Sequence, residues 1–163
     1  MKPYNVNDVA DYIIMSLNSD ESFPLINLKL QKLVYYVQAW HLGIHGQAFL
    51  SGKFEAWVHG PVCRPLYERF KESKSLYSVI GVDDVLNKEI QNSFDDIDKE
   101  FMNYILENYA RFSGTQLEAM THNEKPWIEA RKNITPMERC ENEITKDSMQ
   151  KFYGEKYKQI SDK

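Results

Sequence analysis

Residues 28–44 have the sequence LKLQKLVYYVQAWHLGI, in which apolar side chains would cover nearly every side of a helix. Asn27 precedes this stretch and is a suitable helix N-cap, whereas Gly43 indicates that the helix ends nearby. A helix without a polar face is stable when other elements cover it on all sides. We therefore expect a helix at about residues 28–44 in the middle of a domain.

One row of this helix is nevertheless polar. At about 100° per residue, Gln31, Gln38 and His45 project within about 40° of one another. An amide that is buried without a hydrogen-bond partner costs about 1–3 kcal/mol, so these side chains need partners. They bond either to irregular backbone packed across the helix or to a binding partner or ligand, and the sequence leaves both interpretations open.

Helical periodicity and capping residues predict shorter helices on both sides of the central one. A loop is expected at residues 18–24. The expected helices are one at 8–18 with Asn7 as its N-cap, one that starts near Cys63, one near 83–90, one at about 95–109, one at 114–121 with a capping box of Ser113 and Gln116, one that begins at Lys125 and Pro126, and one from Thr145 to about Lys158.

Residues 47–60 break the helical pattern. Ser51 and Gly52 are typical of a turn, and apolar and polar side chains alternate from Phe54 onwards, which predicts a short strand pair ended by Gly60 and Pro61. The predicted fold is therefore mainly α. It is a single compact multi-helix domain over residues 1–163, with its core at about 8–155 and a small antiparallel β-hairpin near 47–60.

The charge distribution bears on partners. The chain has 20 basic and 24 acidic side chains and a net charge of -4. Its one basic cluster, Arg64, Arg69, Lys71 and Lys74, has a local net charge of only +2 between residues 61 and 81, because Glu68 and Glu72 lie beside it. Dense phosphate neutralisation needs more than this, so we do not expect the chain to bind nucleic acid alone.

The sequence also bears on location. It lacks the apolar region of a secretory signal at its start and any run of about 20 apolar residues, so we expect no membrane association. Cys63 and Cys140 stand alone, without the C-x-x-C spacing of redox or zinc sites, which is typical of reduced structural thiols. Together these features predict a cytoplasmic protein.

Candidate chemistry is sparse. His41 and His45 have the i, i+4 spacing of a zinc-binding pair, but the intervening residues include no glutamate that would act as a general base. The sequence has no nucleophile elbow or glycine-rich phosphate loop. We therefore expect no catalytic residue, metal or cofactor. An enzyme alternative remains, in which His41, His45, His59, His122 and either Glu55 or Glu124 share one pocket.

Three segments are more distinctive than these catalytic and metal-binding patterns. They are LQKLVYYVQAW at 30–40, FEAWVHGPV at 54–62 followed by Tyr67, and Leu117 with THNEKPWIEAR at 121–131. In this order they resemble the signatures of the Panacea domain, a family of bacterial and phage-associated antitoxins. The resemblance covers about residues 8–155.

The resemblance implies a compact helical domain that neutralises a cognate toxin by direct binding, the toxin usually being encoded beside it. In one type of member the antitoxin presents its toxin to a protease. The resemblance does not identify the toxin. Some relatives carry an added DNA-binding segment, whereas this chain starts directly at the domain. A DNA-binding regulator of a toxin–antitoxin operon and a histidine-containing hydrolase or metal-dependent enzyme remain as alternative functions.

The motif residues are the candidate partner-binding residues, and each of them serves either the scaffold or a partner contact. We expect a positive φ at Gly60, and pairing of Glu124 with Arg131 across the turn at 122–131. The candidates are Gln31, Tyr35, Gln38, Trp57, His59, Gly60, Pro61, Tyr67, His122, Glu124, Pro126, Trp127 and Arg131.

Overall fold

A central helix, α2 (Asn27–His45), organises the fold in the computed structural model, which describes residues 2–17 and 23–162. Every residue from Leu28 to Leu42 is buried, which confirms the predicted position of this helix. Asn27 does not cap it, because the N-cap residue is Ile26 and the Asn27 side chain instead donates a hydrogen bond to the carbonyl of Ser75.

In the described part of the chain, six further helices surround α2 or extend from its neighbours. The predicted caps at Ser113, with Gln116, and at Thr145 are confirmed, whereas Asn5 rather than Asn7 caps the first helix. The predicted end of that helix and most of the predicted 18–24 loop lie outside the described residues. The helices are α1 (Val6–Ser16), α3 (Arg64–Phe70), α4 (Asp96–Tyr109), α5 (Gly114–His122), α6 (Lys125–Ala130) and α7 (Lys146–Ser161).

The helix predicted near residues 83–90 is wrong. This region contains two short 3₁₀ segments, Val82–Asp84 and Ile90–Ser93, joined by irregular chain. The buried carboxylate of Asp11 accepts hydrogen bonds from the backbone N–H groups of Leu86 and Asn87 at 3.0–3.3 Å. These N–H groups are therefore bonded to a side chain of α1 rather than to the carbonyl of a preceding helical turn.

A three-stranded antiparallel sheet accompanies the helices. Its strands are β1 (Phe54–Trp57), β2 (Gly60–Cys63) and β3 (Glu143–Ile144), in the order β2-β1-β3. The predicted hairpin is therefore present, but its turn is at residues 58–59 instead of Ser51-Gly52, and Gly60-Pro61 begins the second strand instead of ending the pair. Proline is tolerated there because β2 lies at the edge of the sheet.

The backbones of α2 and α7 approach closely at two glycines, Gly43 and Gly154. A Cβ atom on Gly43 would lie 2.6 Å from the carbonyl carbon of Tyr153 and 2.7 Å from the backbone nitrogen of Gly154. Gly43 therefore permits close backbone packing in the last turns of α2 and does not end the helix there. The helix ends at Gly46, whose φ of 70° is readily adopted by glycine.

One hydrophobic core connects these elements. None of the helices in the described part of the chain combines the length and apolar character that a membrane crossing requires.

Candidate functional site

The hairpin is held from one side by polar side chains of α2. The amide of Gln31 accepts a hydrogen bond from the Cys63 N–H at 3.0 Å and donates one to the Cys63 carbonyl at 3.3 Å. The next residue, Lys32, donates from Nζ to the carbonyl of Pro61 at 3.0 Å. Gln31 thus bonds to the edge strand β2 as a neighbouring strand would, and this side of the hairpin is fixed to the central helix.

The amide of Gln38 also bonds to backbone groups, in its case those of Phe49 and Leu50 before the hairpin. Its Oε1 accepts from the N–H groups of Phe49 and Leu50 at 2.8 and 3.0 Å, and its Nε2 donates to the Leu50 carbonyl at 3.2 Å. Gln31 and Gln38 therefore have the backbone partners that the first interpretation of the polar row predicted. His45, at the end of the row, is exposed.

The third motif holds the hairpin from the other side. Trp127 donates from Nε1 to the Trp57 carbonyl at 2.9 Å, and Arg131 donates from Nη1 to the Ala56 carbonyl at 2.8 Å. The second guanidinium nitrogen of Arg131 donates to carbonyls in the turn at residues 135–138. The three motifs are therefore joined in space, with the hairpin between the other two.

Glu124 does not pair with Arg131, so that prediction is wrong. Its Oε1 accepts hydrogen bonds from the hydroxyls of Tyr36 and Tyr153 at 2.8 and 3.0 Å, and its Oε2 lies 3.3 Å from Nζ of Lys156. Glu124 is turned towards α2 and α7, whereas Arg131 is occupied by backbone carbonyls. The carboxylate therefore joins the start of α6 to both long helices.

A cluster of buried tyrosines surrounds this carboxylate. The Oη atoms of Tyr35 and Tyr153 are 3.3 Å apart, and the ring of Tyr36 stacks on that of Tyr109 with centroids 4.0 Å apart. Burial raises the pKa of Tyr35, Tyr36 and Tyr153, and the charge of Glu124 acts in the same direction. The hydroxyls of Tyr36 and Tyr153 therefore remain protonated and donate to Glu124, which makes this cluster part of the scaffold.

The hairpin borders an open groove of about 570 Å³, here named the hairpin groove. Four of the candidate residues, Gln31, Trp57, His59 and Tyr67, lie in its walls. The groove is lined from α2 by Asn27, Gln31 and Lys32, from the hairpin by Trp57, Val58, His59 and Val62, from α3 and the chain after it by Arg64, Tyr67, Lys71, Lys74, Ser75 and Leu76, and from the loop before β3 by Arg139, Cys140 and Glu141.

An aromatic pair marks the wall of the hairpin groove. The rings of Trp57 and Tyr67 meet edge to face with centroids 4.9 Å apart, and Tyr67 is 38% exposed. The guanidinium of Arg64 lies over the Trp57 ring at 5.2 Å and donates two hydrogen bonds to Glu55. Trp57 donates from Nε1 to the same carboxylate at 2.9 Å, so its ring orientation is fixed before any partner binds.

Lys32 lines the floor of the hairpin groove and is only 1% exposed. Burial lowers the pKa of its ammonium to about 7, against a smaller opposing effect of Glu118. Gly60 has the expected positive φ, at 101°, and a Cβ atom there would lie 2.5 Å from Cε of Lys32. Lys32 is not among the candidates selected from the sequence, although a lysine in a largely apolar helix is a usable signal.

The candidate residues divide by exposure. His59 and Tyr67 are exposed, and Trp57 and His122 are half-buried. His122 stacks on Trp127 at 4.1 Å, and burial lowers its pKa. The buried candidates are Gln31, Tyr35, Gln38, Gly60, Pro61, Glu124, Pro126, Trp127 and Arg131.

The enzyme alternative requires the histidines to share a pocket. His59 lines the hairpin groove and lies 3.0 Å from Glu118, whereas His41, His45 and His122 are not among the lining residues. The rings of His41 and His45 are 4.7 Å apart, and Nδ1 of His41 lies 2.6 Å from the Gln47 carbonyl oxygen. Within residues 2–17 and 23–162, no group of three or more His, Cys, Asp or Glu residues is arranged to hold a metal ion.

The chain is similar to known proteins over the region that forms much of this site. Residues 30–128 match the family described as antitoxin SocA-like, Panacea domain, and this segment contains all the candidate residues except Arg131. The chain is also 30% identical over 113 residues to Antitoxin SocA of Caulobacter vibrioides, an alignment that covers 64% of this chain and 58% of that protein. It thus spans less than two thirds of the length of this relative. No solved structure matches the chain.

Proposed function

The chain belongs to the Panacea-domain family of SocA-like antitoxins, and from this we propose that it neutralises a cognate protein toxin by binding it directly, without catalytic turnover. The observation that carries the proposal is the hairpin groove. There, residues of the first two motifs meet in space and leave an aromatic wall open to a partner.

The division of the motif residues supports a binding role. Gln31, Trp127 and Arg131 are buried and bond to the hairpin backbone, so the shape of the groove is set before a partner arrives. Trp57 and Tyr67 remain accessible at its wall. Tryptophan, tyrosine and arginine dominate the binding energy of protein interfaces, and a rigid surface loses little entropy on binding. We therefore assign toxin contact to this wall.

We propose that the toxin is encoded in a neighbouring gene and that both proteins act in the cytoplasm. Cys63 and Cys140 support this location, because both are free and buried, as is common for proteins in reducing compartments.

A second candidate activity, presentation of the bound toxin to a protease, is favoured by a separate groove of about 330 Å³. It lies between α4 and α7, is lined by Tyr104, Tyr157 and Ile160 among others, and shares no lining residue with the hairpin groove. A protein that joins a toxin to a protease needs two such surfaces. We expect co-expression to shorten the half-life of the toxin, and the double variant Tyr104→Ser, Ile160→Ser to restore that half-life without weakening toxin binding.

The experiment for the main proposal is expression of the adjacent open reading frame with and without this chain. We expect the neighbour alone to stop growth and co-expression to restore it. Tyr67→Ser should reduce rescue, and Tyr77→Ser is the matched control, because Tyr77 is 58% exposed and lies outside the groove. The proposal fails if no neighbouring gene is toxic, or if rescue occurs without physical contact between the two proteins.

A further inference from the structure

We propose that the hairpin groove binds an acidic segment of the toxin, one carboxylate of which pairs with Lys32 while neighbouring apolar side chains pack on the groove wall. This inference rests on the proposed function and specifies the chemistry of the partner at the same site.

The ammonium of Lys32 does not use all of its hydrogen-bond donors. An ammonium has three N–H donors, and Lys32 donates one hydrogen bond, to the Pro61 carbonyl. Among the described residues, no carboxylate oxygen lies within 4.0 Å of its Nζ. Lys29, one turn earlier on the same helix, is also buried, but its Nζ donates to the carbonyls of both Phe23 and Ala110. Of these two buried lysines, Lys32 is the one that lines a groove.

The lack of a carboxylate partner has an electrostatic consequence for the Lys32 ammonium. A buried ammonium without an opposite charge is destabilised by the loss of its hydration, and this is why its pKa falls to about 7. The charge of Glu118 opposes this effect, but its carboxylate already contacts His59 at 3.0 Å. A carboxylate that enters the groove supplies the missing opposite charge, so Lys32 favours an anionic ligand over a neutral or cationic one.

The rim of the hairpin groove is mainly basic. Five basic side chains line it against one acidic side chain, Glu141, and the other four basic residues are Arg64, Lys71, Lys74 and Arg139. These four already contact carboxylates, but the pairs of Lys71 with Glu68 and of Arg139 with Glu141 are solvent-exposed. Exposed ion pairs contribute only about 0–1 kcal/mol, so carboxylates of a partner can replace these contacts at little cost.

The apolar wall of the hairpin groove favours a peptide over a nucleic acid as the ligand. Trp57, Val62, Tyr67 and Leu76 line the same groove as Lys32 and give it an apolar wall. Apolar side chains of a polypeptide fit this wall beside a single carboxylate, whereas a nucleic acid carries a charge at every nucleotide and needs denser phosphate neutralisation than the basic residues of this groove supply. The combination of one buried cation and an aromatic wall therefore favours an acidic peptide that also carries apolar residues.

The test measures binding of the purified neighbouring protein to the intact chain and to two variants. Lys32→Met removes the charge but keeps a long apolar side chain, and Lys132→Met is the control, because Lys132 is exposed and outside the groove. We expect Lys32→Met to raise the Kd at least ten-fold and Lys132→Met to leave it within two-fold. If Lys32→Met binds the toxin as tightly as the wild-type chain, the groove chemistry proposed here is wrong while the proposed function stands.

A second measurement identifies the ligand group, and its first part uses only the wild-type chain. Overlapping 15-residue peptides of the neighbouring protein are titrated against the wild-type chain. The tightest peptide should contain Asp or Glu, and its Asn or Gln counterpart should bind at least ten-fold more weakly. In a double-mutant cycle, this penalty should vanish in Lys32→Met.

Three further outcomes would overturn the inference. They are equal binding of the acidic peptide and its amide counterpart, a penalty that persists unchanged in Lys32→Met, and displacement of the toxin by a 12-nucleotide single strand but not by the acidic peptide. If the intact neighbouring protein does not bind the wild-type chain at all, the proposed function fails as well, so the two failures are distinguishable.

Discussion

A Cβ atom on Gly60 would lie 2.5 Å from Cε of Lys32, so the lysine has room in the floor of the hairpin groove only because position 60 carries no side chain. The same turn places the carbonyl of Pro61 3.0 Å from the Lys32 ammonium. Gly60, Pro61 and Lys32 therefore depend on one another, although 28 positions separate the lysine from the glycine in the sequence.

Gly60→Ala should destabilise the protein by about 3 kcal/mol. The change combines the cost of a β-carbon at positive φ, about 1–2 kcal/mol, with overpacking against Lys32, which typically costs about 1–3 kcal/mol. Chemical denaturation monitored by circular dichroism measures this free energy. Gly81→Ala is the control, because Gly81 has negative φ and no neighbouring atom within 4 Å of a Cβ there. Equal denaturation midpoints for the two variants would show that the Gly60 turn adapts freely.

Lys32 should make stability depend on pH above neutrality. Its pKa is about 7 in the folded chain and about 10.5 in an exposed lysine, so between these values the unfolded chain holds a proton that the folded chain has released. Raising the pH in this window therefore favours the folded chain. The free energy of unfolding, relative to that of Lys32→Met, should rise by about 2 kcal/mol from pH 7 to pH 9.

Lys32→Met provides the reference for this prediction, because titrating groups that do not interact with Lys32 contribute equally to both proteins and cancel in the difference. Urea denaturation at several pH values gives the required free energies. A difference that stays constant from pH 7 to pH 9 would mean that Lys32 keeps its ordinary pKa in the folded chain.

Glu124→Ala should lower the free energy of unfolding by about 3 kcal/mol. The substitution removes the acceptor for the buried hydroxyls of Tyr36 and Tyr153, and each buried group left unpaired costs about 1–3 kcal/mol. Glu155→Ala, an exposed change on α7, is the matched control and should cost less than about 0.5 kcal/mol. Thermal melting compares the two variants, and similar melting temperatures would contradict the role assigned to Glu124.

The sequence predicts those parts of the fold whose causes are local. The capping box at Ser113 and Gln116 and the cap at Thr145 act within four residues, and the apolar surface of α2 follows from its own composition. The hairpin shows the limit of this approach. Ser51 and Gly52 carry a turn signal, but pairing is set by Gln31 and Arg131, whose bonds to the strands come from distant parts of the chain.

The candidate site shows the same limit. The motif residues could be selected from sequence, but their division into buried and accessible residues could not. Glu124 and Arg131 are seven positions apart and of opposite charge, yet they face different neighbours because they flank opposite ends of α6. The position of Lys32 in the floor of the groove depends on Gly60, and no local pattern in α2 reveals this dependence.

Calorimetric titration of the purified neighbouring protein into this chain measures direct binding of a toxin at the hairpin groove. We expect a stoichiometric complex whose Kd rises about 30-fold in Tyr67→Ser, equivalent to about 2 kcal/mol, and stays within two-fold in Tyr77→Ser. Retained folding of both variants, checked by circular dichroism, makes the comparison valid. Absence of heat and of any complex with the wild-type chain, or equal affinity of the wild-type chain and Tyr67→Ser, would contradict binding of a toxin at this groove.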